Sequence, residues 1–319
     1  MSKHPALALA ALIAAVPLFA ACGGAAASRQ DPPARPQAVT GFTLRRVATL
    51  PQPAEGLAAV AAGGDVTIFG GLGPQGSLRA IYRLAGGRLA PAGQLPLPIH
   101  DLAAAPLPHG GLLVAGGGQV VSFDGIYLYR GGRLQTLGTL PTPRSDLAAV
   151  PLAGDVYLFG GYTGQSFLQT ILRVDAQGRV ATVGRLPLGL RYTGAAALAG
   201  RVYLFGGLAT AGYQSAIYRF TPGHGIAIVG HLPVAVRAPL VAAGPGGILV
   251  AGGESAPGRD QSEVYWYEPG RGLRRIGALP WPLALGVAVH LGGDRFAIIG
   301  GENGSQLSAK IVVLTLRQR

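Results

Sequence analysis

A short apolar segment ending in two glycines recurs six times along this 319-residue chain. The clearest copy is Asp155-Val-Tyr-Leu-Phe-Gly-Gly161. The second glycines stand at positions 71, 117, 161, 207, 253 and 301, so the steps are 46, 44, 46, 46 and 48 residues. A period of this size indicates a repeat architecture, in which each unit buries its apolar face against its neighbours. The six copies therefore predict one closed array and not several separate domains.

Each repeat divides into four short strands, and outside the N-terminal segment no stretch has a sustained helical period. The first strand is small and alanine-rich, as in Leu57–Ala61, and a Gly-rich hairpin turn joins it to the segment before Gly-Gly. A third strand such as Ile217–Phe220 follows a variable loop, and the fourth strand ends in Leu-Pro. Small residues fit strands that converge on an axis, and outer strands have room for bulkier side chains. The pattern predicts an all-β, six-bladed β-propeller of four-stranded blades.

The sixth repeat lacks a fourth strand, because the sequence stops at Leu316–Arg319 after its third strand. A further Leu-Pro, Leu50-Pro51, follows residues 42–50, which have the pattern of fourth strands such as Arg133–Leu140. We therefore expect this N-terminal strand to complete the last blade and close the ring. The predicted propeller spans residues 41–319, with blades at about 54–95, 100–140, 145–186, 191–232, 237–279 and 284–316 plus 42–50.

The repeat resembles the kelch repeat, which has an apolar strand ending in Gly-Gly, a tyrosine on the next strand and Leu-Pro at its end. The resemblance covers about residues 42–319, and Gly-Gly is present in all six units. The sequence departs from the family on the fourth strand, where the tryptophan is replaced by Leu, Val or Ile near Leu134, Val180 and Ile226. The third-strand tyrosine is also missing from repeats three and six. The resemblance implies a kelch-type propeller.

Residues 1–21 have the pattern of an export signal. Lys3 precedes an apolar run, Ala6–Val16, that is too short and too alanine-rich to be a good membrane-spanning helix. Cys22, the only cysteine in the chain, follows directly, and the segment resembles the lipobox of bacterial lipoproteins, whose cysteine becomes the lipidated first residue. Ala20 and Ala21 fit that pattern, and Phe19 stands where the family prefers leucine.

The alternative is ordinary cleavage after Ala21 or within Ala25–Ala27, which would release a freely secreted protein. Cys22 and residues 23–40 are predicted to form a lipidated tether, because the segment is small, polar and proline-rich. No other cysteine is available for a disulfide, so packing alone must stabilise the domain. The predicted location is the outer face of the cell membrane or the periplasm, with a lipid anchor.

The formal net charge of +12 could indicate nucleic-acid or anionic-surface partners. The arginines are dispersed, however, and many recur at equivalent places in successive repeats, as Arg88, Arg133 and Arg179 do. No basic run is interleaved with aromatic residues. We therefore expect no nucleic-acid partner, and loose attraction to anionic lipid or a cell-wall polymer fits the sequence better.

Propellers usually bind ligands at the face formed by the loops from strand four to strand one and from strand two to strand three. The loops after Leu-Pro carry charges of both signs, and we take their charged and polar residues as candidate ligand-binding residues. These are Glu55, His100, Asp101, Arg144, Asp146, Arg191, Tyr192 and Arg237. Such a ring could bind a polar ligand, for example a sugar or a peptide segment. The alternative is that these charges only pair with one another around the rim.

The second loop set adds possible contacts that no sequence signal ranks: Tyr162, Phe167, Tyr213, Glu254, Arg259 and Glu302. Enzyme motifs are mostly absent. Gly71–Gly76 matches G-x-G-x-x-G but lies between two predicted strands, so no helix N-terminus can hold a pyrophosphate there. The histidines occupy unrelated positions in different repeats, which does not indicate a metal site. We assign no catalytic residue, cofactor or metal from sequence motifs.

Two kelch-type enzyme families bear on function. Copper-radical galactose oxidases need a cysteine cross-linked to a tyrosine, and Cys22 in the leader excludes that chemistry. Sialic-acid mutarotases are exported six-bladed kelch proteins, and sugar-ring epimerisation needs a general acid–base pair. Glu55, His100, Asp101 or Asp146 could supply one, although this is an analogy from fold.

The sequence therefore predicts an extracytoplasmic, monomeric kelch propeller, anchored to the membrane by lipid, that binds a protein or a glycan. The alternative is a sugar epimerase or mutarotase-like enzyme that acts on a small ligand at the mouth of the pore.

Overall fold

The computed structural model describes residues 38–319, which form six four-stranded antiparallel sheets arranged as the blades of a propeller. The predicted all-β, six-bladed fold is confirmed. In this part of the chain, no helix is long and apolar enough to span a bilayer. The predicted signal peptide, Cys22 and residues 23–37 of the predicted tether lie outside the described residues.

The two inner strands of each blade, numbered here from blade 1 to blade 6 in chain order, are short. The first strands are Ala58–Ala62, Ala103–Pro106, Ala148–Leu152, Gly194–Leu198, Leu240–Gly244 and Val287–Gly292. The second strands, which precede the Gly-Gly pairs, are Asp65–Phe69, Leu112–Ala115, Asp155–Phe159, Arg201–Phe205, Gly247–Ala251 and Arg295–Ile299. The second strands are almost wholly buried, because neighbouring blades cover both of their faces.

Most of the outer strands are longer. The third strands are Ala80–Ala85, Gly125–Arg130, Thr170–Val174, Ala216–Thr221, Glu263–Glu268 and Lys310–Gln318. The fourth strands are Arg88–Gln94, Arg133–Thr139, Val180–Arg185, Gly225–His231, Gly272–Ala278 and, for blade 6, Val39–Thr49. Three small ribbons extend the loops between second and third strands: Leu72–Gly73 with Gly76–Ser77, Leu208–Ala209 with Gly212–Tyr213, and Glu302–Asn303 with Gln306–Leu307.

The ring closes between the two ends of the propeller. The strand Val39–Thr49 pairs antiparallel with Lys310–Gln318, from Val39 opposite Gln318 to Thr49 opposite Lys310. It therefore completes blade 6, whose other three strands come from the C-terminal end of the sequence. The predicted closure is confirmed, and the strand begins at Val39 instead of residue 42.

The Gly-Gly pairs connect each blade to the next. In blade 3, the Gly161 amide donates to the carbonyl of Leu190 in the following loop at 2.8 Å. A Cβ on Gly160, whose φ is +60°, would lie 2.2 Å from the same oxygen, so only glycine allows this backbone approach. The same bond occurs at all six blade junctions: Gly71 to Ile99, Gly117 to Arg144, Gly161 to Leu190, Gly207 to Val236, Gly253 to Leu283 and Gly301 to Ala54.

The hydrophobic core consists of six clusters, each lying between two neighbouring blades. Aromatic rings meet edge-on across these interfaces, as Phe159 meets Phe220 at 5.5 Å and Phe205 meets Tyr267 at 5.4 Å between ring centroids. The first strands line an axial channel, and their alanines leave cavities of about 240 Å³ at one end and about 220 Å³ at the other. Packing thus holds the blades together while small side chains keep the axis open.

Candidate functional site

A ring of backbone hydrogen bonds frames one end of the channel, which we call the mouth. Each blade contributes one residue to this mouth ring, with φ between 49° and 59°. Five of their amides donate to the carbonyl of the member in the preceding blade at 2.7–2.9 Å. Left-handed backbone costs a non-glycine residue about 1 kcal/mol, and such strain is concentrated at functional sites. The members are Gly56, Asp101, Asp146, Tyr192, Ala238 and Leu285.

The residue before each mouth-ring member pairs with the residue that follows a Gly-Gly. These bridges bring both loop sets of the predicted binding face to the mouth. The paired residues are Glu55 with Leu72, His100 with Gly118, Ser145 with Tyr162, Arg191 with Leu208, Arg237 with Glu254, and Ala284 with Glu302.

Four side chains from blades 2, 3 and 4 form the aspartate cluster: Asp101, Asp146, Arg191 and Tyr192. The Tyr192 hydroxyl donates to Asp101 Oδ2 at 3.0 Å and accepts from Arg191 Nη2 at 3.0 Å. Arg191 Nη2 also lies 2.6 Å from Asp146 Oδ2. The Asp146 side chain is 1% exposed, and that of Asp101 is 12% exposed. The cluster therefore joins three blades above the channel.

The two aspartates of this cluster lie close enough for the charge of Asp101 to act on Asp146. Burial, together with the charge of Asp101, raises the pKa of Asp146, and burial also raises the pKa of Asp101. Two adjacent buried carboxyls do not readily ionise together, so the pair retains one proton near neutral pH. His100 lies beside them, with Nε2 3.8 Å from Asp101 Oδ2 and Nδ1 2.8 Å from the Ser77 hydroxyl. Burial lowers the pKa of His100.

A second group, the glutamate cluster, comprises Glu55, Arg237, Glu254, Asp260 and Glu302 around blades 5, 6 and 1. The Arg237 side chain donates to Glu254, whose side chain is 3% exposed. Glu302 lies close enough to Glu55 for its charge to act on the Glu55 carboxyl. Burial, and then the negative charge of Glu302, raises the pKa of Glu55 to about 7. At pH 7 the Glu55 carboxyl is therefore protonated about half of the time.

Tyr192 connects the two clusters. The guanidinium of Arg191 lies 4.4 Å from the centroid of the Tyr192 ring, and that of Arg237 lies 5.0 Å from it. Arg191 also lies 4.3 Å from the centroid of the Tyr162 ring. These cation–π contacts fix the position of both arginines beside the channel.

Three carboxylates of the glutamate cluster, those of Glu254, Asp260 and Glu302, have oxygens within 4.8 Å of one another. Oxygen ligands at this spacing could hold a hard divalent cation such as Ca²⁺. Arg237 already neutralises Glu254, and the Gly304 amide donates to Asp260 Oδ2. Two of the three carboxylates are thus engaged by the protein itself, and we assign no metal to the group.

The raised pKa of Glu55 gives an expected pH dependence of stability. Its value is about 7 in the folded protein against an ordinary 4.5, so between these pH values the folded state holds a proton that the unfolded state loses. The free energy of unfolding should therefore fall as pH rises from about 4.5 to about 7. In urea titrations at pH 5 and pH 8, Glu55→Gln should leave stability at pH 5 unchanged and raise it at pH 8.

A matched control is Glu268→Gln, which removes a carboxylate paired with Arg271 far from the mouth. This variant should lose stability between pH 5 and pH 8 as the parent protein does. If Glu55→Gln and the parent lose stability by equal amounts, Glu55 does not carry the proton.

The structure brings seven of the eight predicted ligand-binding residues together at the mouth and its rim: Glu55, His100, Asp101, Asp146, Arg191, Tyr192 and Arg237. Arg144 lies elsewhere. It is 1% exposed, and its Nη1 donates to the Gly160 carbonyl at 3.1 Å and to Thr170 Oγ1 at 3.0 Å. Burial lowers its pKa to about 10. Arg144 therefore fastens blade 3 internally instead of facing a ligand.

Sequence reasoning did not rank Glu254 and Glu302 and did not select Asp260 or Ser77. Glu254 and Glu302 each follow a Gly-Gly directly, which is the position that the bridges place at the mouth. Their position after Gly-Gly could therefore have identified both residues from the sequence. Asp260 and Ser77 reach the site from within variable loops of different length, for which the repeat gives no register.

No protein-family model matches the chain, and no curated protein matches it with significance. Among solved structures, that of YjhT is similar to it, with a TM-score of 0.73 and 16% sequence identity. The match covers 84% of this chain and 98% of YjhT. At this identity the likeness concerns the fold alone, and it supports the assignment of a six-bladed β-propeller.

Proposed function

We propose that this protein is a binding module whose mouth holds a polyhydroxylated ligand, a glycan or the end of one. The observation that carries the proposal is the convergence of donors and acceptors from three neighbouring blades, Asp101, Asp146, Tyr192 and Thr193, on one axial cavity of about 240 Å³. Asp146 Oδ1 and Arg191 Nε are buried without a hydrogen-bond partner in the described chain, which is costly for polar atoms. Hydroxyl groups, which both donate and accept, suit such a mixed set.

The charge of the mouth favours a ligand without a negative charge. Six carboxyl groups lie in the two clusters against two arginines, Arg191 and Arg237, and even with one proton on each cluster the balance is negative. An acidic sugar would be repelled at this short range. Neutral sugars and amino sugars are therefore the proposed ligands, and sialic acids are disfavoured.

The wider assignment is an extracytoplasmic, monomeric kelch-type propeller attached to the membrane through Cys22. The leader pattern before Cys22 and the six Gly-Gly repeats support it. Mass spectrometry of the protein from a membrane fraction tests the anchor: a diacylglyceryl mass on a peptide starting at Cys22 is expected, and a free peptide starting elsewhere would contradict it.

Tyr192→Phe tests the ligand site. The change removes only the hydroxyl that joins Asp101 to Arg191. With a neutral oligosaccharide selected by saturation-transfer NMR, affinity measured by calorimetry should fall about tenfold. Without the hydroxyl, Asp101 and Arg191 are no longer held in place, and losing one hydrogen bond from these charged groups to the ligand costs about 1.5 kcal/mol. The control, Tyr265→Phe on the third strand of blade 5, should bind as the parent does. Equal affinities of both variants, or preferential binding of acidic sugars, would contradict the proposal.

A sugar mutarotase or epimerase is the second candidate, and the Asp101–Asp146 pair favours it. Two adjacent carboxyls that share a proton can donate to one oxygen and accept from another, which opening and closing a sugar ring requires. His100, held near neutral charge by burial, lies within the same group.

NMR separates the two candidates by following one pure anomer of a bound reducing sugar to equilibrium. Acceleration by the protein that is lost in Asp146→Asn while binding persists indicates the enzyme. Binding without acceleration indicates the module. If cross-linking at Tyr192 recovers a protein partner and no sugar binds, the ligand is a protein and not a glycan.

A further inference from the structure

The face opposite the mouth, which we call the base face, is formed by the hairpins that join first to second and third to fourth strands. Nine arginines lie in or next to these hairpins, and all nine are exposed. They are Arg88, Arg130, Arg133, Arg179, Arg201, Arg271, Arg295, Arg317 and Arg319. The acids in the same hairpins are Asp65, Asp155, Asp175, Glu268 and Asp294. The base face is therefore basic, whereas the mouth is lined with carboxyl groups.

Four of the five acids of the base face are already paired with arginines. Asp65 pairs with Arg83 and Asp155 pairs with Arg173, and both of these arginines come from third strands. Asp175 and Glu268 pair within their own hairpins. Seven of the nine arginines have no carboxylate partner among residues 38–319: Arg88, Arg130, Arg133, Arg201, Arg295, Arg317 and Arg319.

The N-terminal segment joins the propeller at the same face. Ala38 exchanges backbone hydrogen bonds with Arg319 at 2.9 and 3.0 Å, and the strand then runs from Val39 at the base face to Thr49 at the mouth side. Fifteen residues separate Cys22 from Ala38, and the sixteen steps between the two give a reach of at most about 55 Å. An acyl chain on Cys22 would thus hold the base face near a bilayer.

We propose that the base face is a docking surface for an anionic lipid membrane, so that the mouth points away from the bilayer. The arginines are spread over all six blades, which gives a ring of charge suited to a flat surface. Basic residues near anionic lipid each contribute to binding, and the attraction is lost beyond a Debye length. The proposal rests on charge and on the position of Ala38, so it stands or fails independently of the ligand at the mouth.

The test measures cosedimentation of the full chain carrying Cys22→Ser, which cannot be acylated, with vesicles. Partitioning onto vesicles of phosphatidylcholine with about one third phosphatidylglycerol should greatly exceed that onto phosphatidylcholine alone and should decline at high salt. The triple change Arg88→Gln, Arg201→Gln and Arg295→Gln should lower it about a hundredfold, since each arginine contributes about fivefold.

The control changes three exposed cations on the mouth side, Arg185→Gln, Arg259→Gln and Lys310→Gln, which alter the net charge equally. It should bind anionic vesicles nearly as well as the parent. An equal loss in both triple variants would show that net charge acts without an oriented face and would overturn the proposal. Binding to a soluble anionic polysaccharide but not to anionic vesicles would overturn the membrane assignment in favour of a cell-wall polymer.

Discussion

Deletion of residues 39–49 is expected to lower the melting temperature by about 15 °C or more, the largest effect of any change considered. The strand pairs antiparallel with Lys310–Gln318 along the whole length of that strand. It also contributes the buried Val39 and the partly buried Phe42 and Leu44 to the cluster between blades 5 and 6. A fully buried apolar side chain contributes about 1.5–3 kcal/mol and a partly buried one less, so these three side chains together contribute about 3–4 kcal/mol before hydrogen bonds are counted. Differential scanning calorimetry measures the change.

The deletion also exposes a long strand edge, which invites aggregation. A complementation experiment keeps the result interpretable: a synthetic peptide of residues 38–51, added in excess, should raise the melting temperature of the truncated chain as its concentration rises. A scrambled peptide of the same composition should have no effect. A truncated chain that melts within a few degrees of the parent would show that closure by this strand does not hold the ring.

Gly160→Ala is expected to lower the free energy of unfolding by about 3 kcal/mol. The new Cβ would meet the Leu190 carbonyl at 2.2 Å, and that oxygen is already bonded to the Gly161 amide at 2.8 Å. Backbone lies on both sides of this contact, so neither can move without separating blades 3 and 4. Urea denaturation followed by tyrosine fluorescence gives the difference.

The matched control is Gly63→Ala. Gly63 has the same φ of +60°, but nothing lies within 4 Å of its Cβ position. Its cost should stay at about 1 kcal/mol or less, because only the backbone preference changes. Equal losses at Gly63 and Gly160 would mean that the repeat needs glycine for its φ angle alone and not for contact between blades.

The repeat made the fold predictable from sequence. Six Gly-Gly pairs at nearly equal steps set the number of blades, and the unmatched Leu50-Pro51 placed the closing strand. Both inferences depend on local pattern and on counting, which the one-dimensional sequence preserves. The closing strand begins three residues earlier than the predicted residue 42, because Val39, Thr40 and Gly41 continue the ladder to the end of the facing strand.

The site was only half predictable. Most of the residues predicted from the loops after Leu-Pro do lie at the mouth, because the first strand that follows each loop fixes the position of that loop. Arg144 was misplaced, since its side chain turns toward Gly160 and Thr170 and leaves the rim. A side-chain direction depends on its rotamer and on its neighbours, which a repeat alignment does not contain.

The sequence by itself thus determined the number of blades, the closure of the ring and the face of the propeller on which both loop sets lie. Only the tertiary structure decided which charges meet. Asp101 in blade 2 and Tyr192 in blade 4 lie 91 residues apart in the sequence, and their side chains are hydrogen-bonded. Glu55 in blade 1 lies near Glu302 in blade 6 only because the ring closes. Burial and proximity, which set the pKa values of the carboxyls at the mouth, are properties of that closed ring. The opposite charges of the mouth and the base face likewise follow from strand direction, which places alternate turns of every blade at opposite ends.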